Sequence, residues 1–244
     1  MLWFLQDPLY LLVTLVGLAI TLFAQWRVKS TFARFDRVPV RTGMTGAEAA
    51  AAVARAGNAV VRIERHQGFL SDHYDPTSRT LRLSPAVHDG RSISAIAVAA
   101  HEAGHAIQHA VAYPALHFRS VLVPIANLGN TLWSLPFWLG LMLASGQGAA
   151  EGSATGQLLM SIGIWMFAAV VLFQLVTLPV EFDASRRAKA VLARTGIVST
   201  QEEARGVEQV LGAAAMTYVA AALAGLLQLV YLVLRARGSR REGS

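Results

Sequence analysis

The chain has 244 residues, of which 54% are hydrophobic and 15% charged, and its formal net charge is +6. Such an apolar composition excludes an ordinary soluble domain, and the charged interruptions exclude a bundle that lies wholly in lipid. The basic residues cluster beside apolar stretches, where positive charge sets membrane orientation, so no nucleic-acid partner is expected. Cysteine is absent, and a metal ion would therefore have to be held by histidine and carboxylate ligands.

The first apolar stretch, Leu9 to Trp26, is about long enough to cross a bilayer. A basic cluster follows it at once, which predicts that this side of the stretch faces the cytoplasm. The lipid bilayer is thus the first predicted partner. The basic cluster consists of Arg27, Lys29, Arg34, Arg37 and Arg41.

The sizeable polar stretch of the chain lies between this span and about Phe118. Thr45 is predicted to cap a helix that begins at Gly46, with Glu48 as its capping-box partner. Gly57-Asn58 should end that helix. A folded portion outside the membrane therefore begins with a capped helix.

Apolar and charged residues alternate at Val60–Glu64 and again at Arg79–Leu83, which predicts two strands joined as a hairpin. Between them, the segment Asp72–Asp75 carries four titratable side chains. Two of these, His73 and Tyr74, are candidate hydrogen-bond donors to a reacting oxyanion, although a solvated loop also fits this pattern. The sheet edge can hold an extended substrate by main-chain hydrogen bonds, or the hairpin can simply pack on the next helix.

The run Ile93 to Tyr113 is rich in alanine and free of proline, which predicts a helix. His101 and His105 are four residues apart, and side chains with this spacing lie on one helix face. Two imidazoles can therefore hold one metal ion, while Glu102, turned by about 100°, can act on a water molecule as a general base. The flanking residues are mostly apolar, and a metal ion is the natural partner for polar groups buried among them.

A third ligand must come from elsewhere in the chain. His109 lies eight residues after His101, about 12 Å along a helix, which is too far for both to bind one ion. Glu181 and Asp183 follow an apolar stretch and are predicted to lie at the membrane face where the histidine helix lies. Either carboxylate can complete the set, and Glu181 is preferred because it is nearer the apolar stretch and has the longer side chain.

Three further apolar stretches, Arg119–Ser145, Gln157–Val180 and Gly212–Leu234, are expected to cross the membrane. Residues 146–156 lack a basic residue, which is typical of an outer loop. The last stretch ends in arginines, which four crossings would put on the outer side. Either the early basic clusters dominate the orientation or one stretch does not cross, and four crossings are favoured.

These motifs resemble a known family, the YugP-like neutral zinc metallopeptidases of bacterial membranes. They recur in order from about residue 25 to residue 225 and are far more specific than HExxH alone. The matching segments are Arg27 to Thr31, TGAEAA at Thr45 to Ala50, SDHYDPTSRTLRLS at Ser71 to Ser84, AAHEAGHAIQHA at Ala99 to Ala110, FQLVTLPVEFDASRRA at Phe173 to Ala188 and AAAMTYVAAAL at Ala213 to Leu223.

The resemblance implies a membrane-embedded zinc peptidase. More distantly, the chain resembles larger membrane zinc proteases whose third ligand is the first Glu of a Glu-x-x-x-Asp motif, which puts Glu181 on the ligand position. Ser185 stands where that motif has its Asp. Asp183 and Arg186 are the alternatives for the role of that Asp.

The sequence therefore predicts a mainly α, polytopic, zincin-like membrane protein with about four transmembrane helices and a small cytoplasmic α+β catalytic portion. The expected activity is zinc-dependent hydrolysis of peptide bonds, in peptides or membrane proteins, at the cytoplasmic face of a bacterial inner membrane. The alternative is a metal-binding scaffold or chaperone-like partner without turnover, which would have no use for a base beside its ligands. The candidate site residues are His101, His105 and Glu181 for the metal ion, Glu102 for the general base, and His73, Tyr74 and Arg186 for the oxyanion.

The predicted divisions of the chain follow from these assignments. They are a first transmembrane helix at 1–26, a cytoplasmic catalytic portion with a small sheet and the histidine helix at 27–118, a transmembrane hairpin at 119–180, cytoplasmic helices with the third ligand at 181–211, and a fourth transmembrane helix with a basic tail at 212–244.

Overall fold

The computed structural model describes residues 7–68, 71–144 and 154–241, with side chains as far as residue 238. Within these ranges the chain is mainly helical with one small sheet, as predicted. The outer loop predicted at 146–156 lies largely outside the described residues. The elements are the helices α1 (Pro8–Phe35), α2 (Gly46–Ala56), α3 (Pro85–His88), α4 (Ile93–Ala110), α5 (Pro114–Leu132), α6 (Ser134–Ala144), α7 (Ala154–Arg194) and α8 (Gln201–Arg241), and the strands β1 (Arg62–Arg65), β2 (His73–Asp75) and β3 (Thr80–Leu83).

The sheet has the strand order β1-β3-β2. The two predicted strands both form, but they pair in parallel, so the predicted hairpin between them is wrong. The hairpin instead joins β2 to β3, which are antiparallel. Its turn is fixed by Asp75, whose Oδ1 accepts a hydrogen bond from the Thr77 amide (2.9 Å), and by Arg79, which has a φ of 53°.

α2 has the predicted ends. Thr45 accepts a hydrogen bond from the Glu48 amide, and the Glu48 side chain accepts one from the Thr45 amide, so the capping box is complete. Gly57 is the C-cap, and Asn58 follows in the left-handed region with a φ of 58°. Local sequence thus determines where this helix begins and ends.

Three helices, α1, α7 and α8, are long and apolar enough to cross a membrane among the residues that the structure describes. α7 and α8 are each continuous, and α7 includes Pro179 within the helix. The stretch Arg119–Ser145 is instead divided at Trp133 between α5 and α6. Three candidate crossings are therefore present, and the predicted fourth stays a prediction.

The chain forms two compact units. One, which we call the apolar unit, comprises Met1–Leu22, Phe118–Thr177 and Tyr218–Ser244. The other, which we call the sheet unit, comprises Phe23–His117 and Leu178–Thr217. The sheet and the helix with the predicted histidines both belong to the sheet unit.

Glycine lets the helices of the apolar unit approach closely. A Cβ at Gly163 of α7 would lie 2.7 Å from the Trp133 carbonyl oxygen, and one at Gly140 of α6 would lie 2.5 Å from the Gly156 carbonyl oxygen. Small residues at such crossings are typical of helices that pack inside membranes. Large apolar side chains face outward, with Trp165 76% exposed, and a bilayer would cover them.

The start of α1 and the end of α8 meet in the apolar unit. The Tyr231 hydroxyl donates to Oδ2 of Asp7 (2.9 Å), and Nε of Arg235 lies 3.7 Å from the same oxygen. Asp7 also accepts a hydrogen bond from the Leu9 amide (3.0 Å), at the first turn of α1. If α1 and α8 both cross a membrane, these two helix ends lie on the same side of it.

Candidate metal centre

α4 carries the predicted histidine pair. Its N-cap is Ser92, whose side chain accepts a hydrogen bond from the Ala95 amide (3.1 Å). The helix ends at Ala110, and Ala112 then adopts the left-handed conformation with a φ of 51°, which turns the chain away before Pro114. Alanines on one face of α4 are fully buried with those of α2, so the polar side chains of α4 lie in an apolar environment and need partners.

α4 crosses α7 at Gly104, the fourth residue of the HEAGH motif. A Cβ at this position would lie 2.5 Å from the carbonyl oxygen of Ala184 and 3.0 Å from its carbonyl carbon. A side chain here would thus meet main chain that cannot easily move. The close approach brings Glu181, about one turn before Ala184 on α7, beside His101 and His105.

Three ligand atoms meet at this crossing. Oε2 of Glu181 lies 3.1 Å from Nε2 of His101 and 3.5 Å from Nε2 of His105. One ligand atom from each of these residues lies within 4.8 Å of the others. Tetrahedral zinc with bonds of about 2.0–2.1 Å holds its ligand atoms about 3.3–3.4 Å apart. Both distances to Oε2 of Glu181 are near that value. Two imidazoles with a carboxylate are a donor set that zinc takes.

Two polar side chains hold the histidines at their other ring nitrogen. Oγ of Ser185 lies 3.1 Å from Nδ1 of His101, and Oε1 of Gln108 lies 3.0 Å from Nδ1 of His105. Contacts of this kind orient imidazoles that bind metal ions. Neither contact is among the features predicted from the sequence, although the spacing contains a signal: Ser185 is four residues after Glu181, and Gln108 is three after His105.

Glu102 is buried next to this group, with 8% of its surface exposed. Burial raises the pKa of its carboxyl above the usual range, an effect that the imidazoles of His101 and His105 oppose. A buried carboxylate with raised proton affinity, beside two imidazoles, is suited to accept and return a proton.

The three candidate oxyanion donors lie outside the metal group. His73 is exposed, and its Nδ1 is bonded to a main-chain carbonyl. The hydroxyl of Tyr74 lies 2.8 Å from Nδ1 of His109. Arg186 forms an ion pair with Asp183, and its side chain is 76% exposed. The role of these three residues in catalysis stays a prediction.

The comparisons with known proteins agree with this geometry. A family described as "Putative neutral zinc metallopeptidase" matches residues 10–237. The match covers nearly the whole chain, and the chain belongs to this family of zinc metallopeptidases. This confirms both the family that the motifs predict and zinc as the expected cofactor.

The chain is also similar to a curated bacterial protein. It is 43% identical over 235 residues to "Putative membrane protease YugP" of Bacillus subtilis (strain 168), which covers 96% of this chain and 99% of that protein. The similarity and the three candidate crossings support a membrane location. No solved structure matches the chain.

Proposed function

We propose that this protein is a zinc-dependent metalloendopeptidase of the membrane. The observation that carries the proposal is the spacing of the ligand atoms of His101, His105 and Glu181, which suits tetrahedral zinc, beside the buried Glu102. The family supplies the reaction class, hydrolysis of peptide bonds. A scaffold that only bound metal would need the three ligands but not a carboxylate base next to them.

The side chains divide the chemistry between them. His101 and His105 would hold zinc through Nε2, and Glu181 through Oε2. When bound, zinc lowers the pKa of a water molecule and polarises the scissile carbonyl. Glu102 takes the proton of the attacking water on its carboxylate and passes it to the leaving amine.

An extended peptide can reach this site along β2. β2 lies at one edge of the sheet and packs against α4, where Tyr74 bonds to His109. An edge strand offers unpaired main-chain groups to a peptide that adds as a further strand. A substrate held in this way would run beside the histidine helix with its carbonyls accessible, which suits cleavage within a chain.

The site is proposed to face the cytoplasm at the bacterial inner membrane. The basic cluster from Arg27 to Arg41 follows the first span, and Arg186, Arg187 and Lys189 follow the next long span. The arginines at the end of α8 favour the opposite orientation, because they lie on the side of the membrane where the chain begins. Arg235, however, lies near Asp7, which offsets its charge. The larger basic excess therefore lies on the side of the proposed site.

The proposed activity is tested by purifying the full chain in detergent and measuring zinc content together with cleavage of an unfolded casein-like substrate. We expect about one zinc per chain, loss of cleavage with a chelator and recovery when zinc is returned. The Glu102→Gln variant is the matched control, because it should keep zinc and lose cleavage. Wild-type protein that binds zinc but cleaves no faster than this variant would leave only the scaffold function.

The proposed orientation is tested separately with single cysteines, since the natural chain has none. Thr155, at the start of α7, and Ser78, in the turn between β2 and β3, are both exposed. In intact cells, an impermeant thiol reagent should label Thr155→Cys and not Ser78→Cys. The reverse pattern would invert the proposed topology without affecting the chemistry.

A further inference from the structure

Gln108 lies at the centre of a buried hydrogen-bond network behind His105. It is 0% exposed. Its Oε1 lies 3.0 Å from Nδ1 of His105, while its Nε2 donates to the Val180 carbonyl (2.8 Å) and to Oδ2 of Asp183 (2.9 Å). All the hydrogen-bonding positions of this amide nitrogen are therefore used within the protein.

The network allows the Gln108 amide only one orientation. The Val180 carbonyl can accept a hydrogen bond but cannot donate one. Arg186 and Arg187 both donate to Asp183, which keeps it a carboxylate and likewise an acceptor only. Turning the amide over would set its oxygen against both acceptors and leave buried groups unsatisfied. The amide oxygen must therefore face His105.

We propose that Gln108 is a positioning residue that keeps the proton of His105 on Nδ1 and leaves Nε2 to face the metal ion, and that Asp183 acts on His105 through Gln108. An amide oxygen only accepts, so Nδ1 of His105 must be the donor, and a neutral imidazole then carries its lone pair on Nε2. The inference rests on the proposed function, because it takes His105 as a zinc ligand.

The other histidine is held in a different way. Nδ1 of His101 faces the hydroxyl of Ser185, and a hydroxyl can either donate or accept. Ser185 can therefore orient the ring of His101 without selecting the nitrogen that carries the proton. Of the two Nδ1 contacts, that of Gln108 selects a tautomer and that of Ser185 does not.

The test is a double-mutant cycle on zinc affinity, measured by chelator competition on the purified full chain. Gln108→Leu should weaken zinc binding by about 10- to 100-fold. Asp183→Asn should weaken it less, because the Val180 carbonyl still orients the amide. In the Gln108→Leu background, Asp183→Asn should cause no further loss, since its route to His105 is already removed.

Two controls separate positioning from a general structural role. Ser185→Ala acts on His101 and not on His105. In the double variant with Gln108→Leu, the fold-losses of zinc affinity of the two single variants should therefore multiply. Cobalt-substituted protein should show a changed visible absorption spectrum in Gln108→Leu, because the imidazole of His105 is no longer held in one orientation. Gly212→Ala, an exposed change on α8 with open space around the new methyl group, should leave the spectrum unchanged.

A second pair of variants keeps the inference testable if Gln108→Leu does not fold. Gln108→Glu retains the acceptor for His105 but faces Val180 and Asp183 without a donor, so zinc binding should weaken. Adding Asp183→Asn supplies a donor to the new carboxylate and should restore part of the affinity. No restoration, or an equal loss from Asp183→Asn in both backgrounds of the cycle, would overturn the inference. Wild-type protein that takes up no zinc would also contradict the proposed function. Zinc uptake by the wild type, with independent effects of the two substitutions on zinc affinity, would contradict this inference alone.

Discussion

Helices α6 and α4 both approach α7 closely at glycines, but these two crossings enclose different side chains. In the apolar unit, Gly163 of α7 lies against Trp133 and Phe137, and Phe137 is fully buried. In the sheet unit, Gly104 of α4 lies against the Ala184 carbonyl, beside the polar group of Glu181 and the two histidines. The first crossing buries apolar surface and the second buries potential ligands.

The difference shows how one packing device serves two purposes. Close approach of apolar surfaces is favourable without any further partner. Polar groups buried at a crossing must each find a partner, because an unpaired buried polar or charged group is costly. Substitutions in the apolar unit should therefore change stability alone, whereas those at the crossing of α4 and α7 should change metal binding first.

The largest effect is expected from Glu181→Ala. It should abolish stoichiometric zinc binding, because two histidines alone leave half of a tetrahedral coordination sphere to water. Asp183→Ala is the matched comparison on the same helix, and it should weaken zinc binding by only about 10- to 100-fold. Zinc content of both purified variants decides between them. An empty Asp183→Ala together with a loaded Glu181→Ala would reverse the assignment of the third ligand.

Glu102→Gln should separate chemistry from metal binding. The amide keeps the size of the side chain but cannot accept a proton at neutral pH, so the rate should fall by about 10²- to 10⁴-fold. Zinc affinity should stay near the wild-type value, since Glu102 is not one of the proposed ligands. Activity near wild type in this variant, with zinc bound, would remove Glu102 from the mechanism.

Some features of this arrangement are predictable from sequence because they depend on nearby residues. The capping box of α2 and the spacing of His101 and His105 are local patterns. Glu181 is also predictable as a ligand, because the motif around it resembles that of known zinc proteases.

The features that were missed depend on tertiary contacts. His73 to Asp75 is polar enough to suggest a loop and becomes a strand only by pairing with β3. The parallel pairing of β1 with β3 has no local signal either. Gln108 is an ordinary helix residue until α7 brings Val180 and Asp183 against its amide.

Gly104→Ala tests the comparison of the two crossings directly. The new methyl group would collide with the Ala184 main chain, which costs about 1–3 kcal/mol. If α7 moves to relieve this strain, Glu181 moves with it. A loss of this size in the free energy of metal binding weakens zinc affinity by about 10- to 100-fold. Gly163→Ala meets a similarly close main chain in the apolar unit, and it should lower the unfolding midpoint while leaving zinc affinity unchanged. Equal zinc affinity in the two variants would mean that the close approach at Gly104 serves packing alone.

The smallest effect is expected from Ser185→Ala. It removes the hydroxyl 3.1 Å from Nδ1 of His101 but leaves the ring nitrogen that faces Glu181 in place. The lost contact is one neutral hydrogen bond, worth about 0.5–1.5 kcal/mol, so zinc affinity should fall by about 2- to 10-fold. Ser185→Thr keeps the hydroxyl and is the matched control, which should recover most of the affinity.

Ser185→Asp would place at this position the carboxylate of the Glu-x-x-x-Asp motif, and a carboxylate accepts the Nδ1 proton more strongly than a hydroxyl does. We therefore expect Ser185→Asp to bind zinc at least as tightly as the wild type, and a loss larger than that of Ser185→Ala would mean that this position does not brace His101.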